Sequence, residues 1–83
     1  MNKQDFDFWV NNIRVVVNSE EEFNQVVDVL KAKNHKVDPE IYFDKNYNSI
    51  CLFSYWSNYR WNTVRDKKHE SVKRFIEVIN SQE

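Results

Sequence analysis

The chain contains no glycine in 83 residues, and that absence constrains its fold more than any motif it carries. Glycine enters the left-handed region of backbone space without steric cost, so tight turns and helix C-termini ordinarily rely on it. Without it, each left-handed position must be filled by another residue, and asparagine is the least costly substitute. A glycine-rich loop that cradles phosphate is excluded outright. Turns are therefore sought at asparagines: Asn11 with Asn12, Asn34, and the stretch Lys45-Asn46-Tyr47-Asn48.

Two helices are written plainly. Ser19 followed by Glu22 is a capping box, in which the hydroxyl accepts from the backbone N–H three residues on and the carboxylate reaches back to the Ser19 N–H. Glu20, Glu21 and Glu22 also suit the positive end of the helix dipole. Phe23, Val26, Val27 and Leu30 then repeat at helical spacing, so this helix buries one face. It ends near Lys33, with Asn34 as the left-handed residue after its C-terminus. A second stripe, Val72, Phe75, Ile76 and Ile79, predicts a last helix with Asp66 as its N-cap and Glu70 paired to Arg74 on its exposed side.

The rest reads as strands. Phe6, Trp9, Val10 and Ile13 fit helical spacing while Phe6, Phe8 and Val10 fit strand alternation equally well. The extended reading is taken here, followed by a tight turn at Asn11 and Asn12 and a central strand over Ile13 to Val17. His35 is read as a cation at a helix C-terminus. Lys36 to Asp44 reads as an edge strand interrupted by Pro39, which cannot donate to a ladder. It turns at Lys45 to Asn48 into a strand over Ser49 to Tyr55, apolar on both faces, so that Phe53 and Tyr55 are structural. Trp56 to Tyr59 is taken as a connector, and Arg60 to Arg65 as a further short strand.

The fold class that follows is α+β: a mainly antiparallel sheet of three or four strands with two amphipathic helices packed on one face, in the order β-α-β-β-(β)-α. The other sheet face is left partly open to solvent. Residues 1–83 are expected to form a single small domain, because a chain of this length, 41% hydrophobic and 16% aromatic, supplies one core. The N-terminal M-N-K-Q-D-F-D-F-W-V has no apolar run suited to a signal peptide or a membrane span, which predicts a soluble, cytoplasmic protein without a membrane partner.

Composition also narrows the chemistry. The single cysteine, Cys51, sits in an apolar run without the Cys or His neighbours of a zinc site, so a buried, reduced thiol is expected and no metal. His35 and His69 have no Ser or Cys at a spacing that suggests a nucleophile–base pair, and the only carboxylate run, Glu20 to Glu22, is explained by the helix end. No catalytic residue and no cofactor is assigned, and an enzyme is not expected.

Two candidate surfaces remain. Trp56, Tyr59, Arg60 and Trp61 combine the residue types enriched in protein-interface hot spots, set against the alternative that two of them complete the core. Arg65, Lys67, Lys68, Lys73 and Arg74 form a basic segment beside them, as single-stranded nucleic-acid binding uses. Charge is lopsided: Met1 to Asp44 holds five basic against nine acidic residues, and the remainder seven against four. The acidic half would repel nucleic acid.

The order helix, three strands, helix over Ser19 to Asn80, with R-D-K-K-H-E-S-V-K-R-F entering the last helix, resembles the double-stranded RNA-binding domain. That resemblance implies RNA contact through the basic helix start, although Val72, Phe75 and Ile76 stand where that family packs small residues. The glycine-free, Asn- and Lys-rich composition, the cap N-S-E-E-E-F and the aromatic hairpin resemble the small accessory proteins of bacteriophages and mobile elements of low-GC hosts, anti-CRISPR proteins among them. This second resemblance implies a non-enzymatic, protein-binding inhibitor of a host or defence protein, acting by occlusion within the host cell. The alternative is a small nucleic-acid binder using Arg60 to Arg74. Self-association stays open, because an uncovered sheet face or edge strand can pair with a second copy.

Overall fold

A computed structural model describes residues 1–82, which form three helices and a four-stranded sheet. Helix α1 spans Lys3–Asn11, strand β1 Ile13–Val16, helix α2 Glu20–Ala32, strand β2 Ser49–Leu52, strand β3 Trp56–Tyr59, strand β4 Lys68–Ser71 and helix α3 Val72–Asn80. The sheet order is β3-β2-β1-β4, with β2 antiparallel to both β1 and β3 but β4 parallel to β1. The α+β class holds, while the sheet is mixed rather than mainly antiparallel and a third helix is added.

The added helix corrects the extended reading of residues 2–13. Asn2 caps it, its side chain accepting from Asp5 N–H at 2.8 Å, and Phe6 and Val10, one helical turn apart, are buried. Helical geometry turns Phe8 away from Phe6, leaving it 73% exposed. Asn11 and Asn12 do not make a left-handed turn. Their side-chain amides instead donate to the Asp7 and Phe8 carbonyls four residues back, each at 2.7 Å.

Helix α2 starts and stops as its sequence predicts, with one shift. Ser19 Oγ accepts from Glu22 N–H at 3.1 Å, but the Glu22 carboxylate accepts from Asn18 N–H at 2.8 Å, one residue before the expected Ser19. At the other end Asn34 has φ 62°, its N–H donating to Lys31 O and the His35 N–H to Leu30 O. Those two bonds are the Schellman pattern with asparagine in the place of glycine.

The stretch after α2 is not a strand. Only Val37 bridges to Trp56. Asp38 and Asp44 each accept from the backbone N–H two residues on, Glu40 and Asn46, at 2.9 and 2.8 Å. These side-chain turns, with Pro39 between them, divert the backbone from a ladder. The hairpin therefore joins β2 to β3 through Phe53, Ser54 and Tyr55, and Trp56 to Tyr59, expected as a connector, is an edge strand.

All three helices lie on one sheet face and share one hydrophobic cluster, in which Val26, Leu30, Phe75, Ile13, Val15, Ile50 and Trp56 are essentially inaccessible. Trp9 stacks on Phe75 with ring centroids 6.1 Å apart, and Trp56 meets Phe75 edge-on at 5.4 Å. From β3 at one edge the chain crosses to β4 at the other. Its one regular piece is a short 3₁₀ turn, Trp61–Thr63, where a strand was expected. Val64 in this crossing is buried outside the helix-side cluster, so the crossing partly covers the face predicted to be open. The last helix begins later than its charge pattern suggests: Ser71, not Asp66, caps it, accepting from Arg74 N–H at 3.1 Å. Glu70 consequently lies in β4, buried, and makes no helical pair with Arg74. No helix is long and apolar enough to cross a membrane among the described residues.

Candidate interaction surface

The register of β2 and β3 decides which aromatic residues reach the surface. Leu52 pairs with Trp56 and Ser49 with Tyr59, so alternation sends Trp56 to the helix face and Tyr59 to the opposite one. Trp56 is fully buried. Its indole N–H donates to His35 Nδ1 at 3.3 Å, satisfying a donor that the core would otherwise leave unpaired. His35 is therefore an acceptor, not the cationic helix cap that its position suggests; burial holds its imidazole below the ordinary value of 6.5, with the Asp7 carboxylate opposing.

Tyr59 is half-buried, Arg60 exposed and Trp61 55% exposed, so three of the four residues singled out for partner contact stand together and Trp56 does not join them. In its place are residues read as structural. Phe53, 55% exposed in the hairpin loop, meets Tyr59 edge-on with centroids 5.1 Å apart. Arg60 lies over the Tyr47 ring at 5.0 Å, and Tyr42, 55% exposed, packs against Tyr47 at 6.4 Å. Tyr55 is also exposed. The signal for Phe53 and Tyr55 was Ser54 between them: Phe-Ser-Tyr reads as a three-residue hairpin loop once β3 is recognised.

Two hollows meet at Arg60. One, of about 500 Å³, is walled by Tyr47, Phe53, Tyr59, Val64 and the neighbouring Asn58 and Thr63. The other, of about 440 Å³, is lined by Lys45, Asn46, Asn48, Arg60, Trp61 and Asn62. No carboxylate lines either. Burial pushes the Tyr59 phenol above its ordinary value of 10.0, with Cys51, Tyr55 and Asp38 adding to the effect. Cys51 lies fully buried nearby, its thiol pushed up to about 12 by burial against the opposing charges of Lys67 and Arg14, so it is held as an unreactive thiol.

The basic segment is dispersed. Lys67 is a brace: its ammonium donates to Asn11 O at 2.6 Å and Leu52 O at 3.0 Å and sits 4.2 Å from the Phe53 ring centre. Lys68 belongs to β4, 3.8 Å from the Glu70 carboxylate. Lys73 and Arg74 are exposed on the first turn of α3, and Arg65 is exposed in the crossing. Since β4 and β3 are opposite edges, three strand spacings, roughly 14 Å, separate β4 from β3. Among the described residues no three His, Cys, Asp or Glu side chains gather to hold a metal. No family model, curated protein or solved structure matches the chain.

Proposed function

We propose that this chain is a non-enzymatic protein-binding module, a phage-encoded inhibitor that occludes a host or defence protein through Tyr59, Arg60 and Trp61, with Phe53 and Tyr47 completing the contact. The observation that carries the reading is the exposure of Trp61 beside Arg60 at the meeting of two hollows. Exposed aromatic groups with an adjacent arginine have the composition of an interface hot spot. The phage origin draws its support from composition: no glycine and an abundance of asparagine and lysine.

A nucleic-acid role through Arg60 to Arg74 gains less support, because Lys67 is committed to backbone carbonyls and Lys68 lies near Glu70. Capture from nuclease-treated host extract separates the two roles. The protein-binding reading predicts a retained partner whose yield changes little as salt rises, and loss of it in the Arg60→Ala, Trp61→Ala double variant. A nuclease-sensitive yield, or one falling steeply with salt, would instead mark phosphate contacts.

A further inference from the structure

Taking the protein-binding reading as its basis, we infer that this surface receives a partner segment bearing a carboxylate beside an apolar side chain. The carboxylate enters the hollow between Lys45 and Arg60, and the apolar group enters the hollow of Tyr47, Phe53 and Tyr59.

Charge makes the first half of the assignment. Lys45 and Arg60 have no carboxylate within ion-pair distance among the described residues. The nearest acid in sequence, Asp44, already accepts from Asn46 N–H. Asn46, Asn48 and Asn62 line the same hollow and carry amides able to donate as well as accept, and an acceptor-only group is the complement that its cations lack. A planar guanidinium grips a carboxylate through two parallel bonds. The second half follows from the adjoining wall, which is aromatic and shares Arg60 with the first. One residue therefore faces both parts of the incoming segment.

The same geometry disfavours a nucleobase. Stacking needs a free ring face, and the Tyr47 ring carries Arg60 at 5.0 Å while the Phe53 ring carries Lys67 at 4.2 Å and meets Tyr59 at 5.1 Å. Tyr55 and Trp61, which have neither a covering cation nor a ring partner, lie beyond opposite ends of β3. Two free rings separated by the length of a strand do not track consecutive bases.

The test is a nitrogen–proton NMR titration of the intact chain with three probes: a blocked peptide containing Leu-Glu-Leu, the same peptide with Gln for Glu, and oligothymidylate. The expected result is saturable shifts of the Trp61 indole N–H and the Arg60 Nε–H with the Glu peptide, and binding at least about tenfold weaker with the Gln peptide, as loss of a charge-assisted bond implies. The Trp9 and Trp56 indoles stay fixed. Arg60→Gln removes the preference for Glu while keeping the rest of the spectrum, which separates lost recognition from lost fold. Equal response to both peptides, a stronger response to oligothymidylate, or no movement of Trp61 and Arg60 at millimolar peptide would overturn the inference. If the Glu peptide is silent while the Arg60→Ala, Trp61→Ala variant still loses its captured partner, this inference alone falls. If capture is unchanged by that variant, the protein-binding reading falls with it.

Discussion

Asn34 and His35, adjacent at the end of α2, carry two separate constraints. Asn34 holds the one positive φ among the described residues, and a Cβ-bearing residue without a short polar side chain is penalised there by about 1 kcal/mol or more. Asn34→Ala is expected to lower unfolding stability by that amount and Asn34→Gly to keep or raise it, as urea denaturation would measure. His35 supplies the acceptor for Trp56, which only the neutral imidazole does, since both ring nitrogens of the cation are donors. Its pKa is lowered by burial, against the pull of Asp7. The unfolded chain thus takes up this proton near 6.5 and the folded chain only at lower pH. The stabilisation is complete above 6.5 and is lost as pH falls below it toward the lowered folded value. Urea midpoints between pH 7.5 and 5.5 should fall in the native chain and fall less in His35→Gln, which keeps an acceptor but does not titrate. Equal slopes would remove His35 from the account.

Elements were legible wherever one local pattern had no competitor. The stripe of α2 is buried as read, that of α3 is buried at Val72, Phe75 and Ile79 with Val78 buried and Ile76 only half-buried, and the left-handed Asn34 follows from having no glycine to use. Around residues 2–13 two periodicities competed, and the cap at Asn2, in register with Phe6 and Val10, decides for a helix. Over 36–44, read as an edge strand, Val37, Ile41 and Phe43 pack against the cluster from a loop held by Asp38 and Asp44. Side-chain acceptors two residues ahead of a free N–H outcompete a ladder there. Least legible was β4: its pairing with β1 is set by the crossing from β3, a long-range fact that no window of sequence contains. The cap of α3 tests that placement. Ser71→Ala should cost about 1 kcal/mol, whereas Asp66→Ala, at an exposed position outside the helix, should lie within about 0.5 kcal/mol of the native chain. The reverse ranking in thermal unfolding would restore the earlier helix start.

At the scale of the molecule, the sheet divides its aromatic residues between a helix-side core and an opposite surface. The residue types of the candidate site were legible in the segment from Trp56 to Trp61, but their sides were not. One step of strand alternation sends Trp56 inward, and the end of β2 at Leu52 releases Phe53 outward to join Tyr59. Trp56→Ala, which empties a fully buried position against Phe75, is expected to cost about 3–5 kcal/mol. Removing Trp61 and Arg60, both exposed, should change stability by no more than about 1 kcal/mol. The division is tested most directly by measuring, on one preparation of the Arg60→Ala, Trp61→Ala variant, its unfolding midpoint and its capture of the proposed partner from host extract. A native midpoint with the partner lost is the predicted result. A native midpoint with the partner retained would contradict the assignment of this surface, and a collapsed midpoint would place Trp61 in the core.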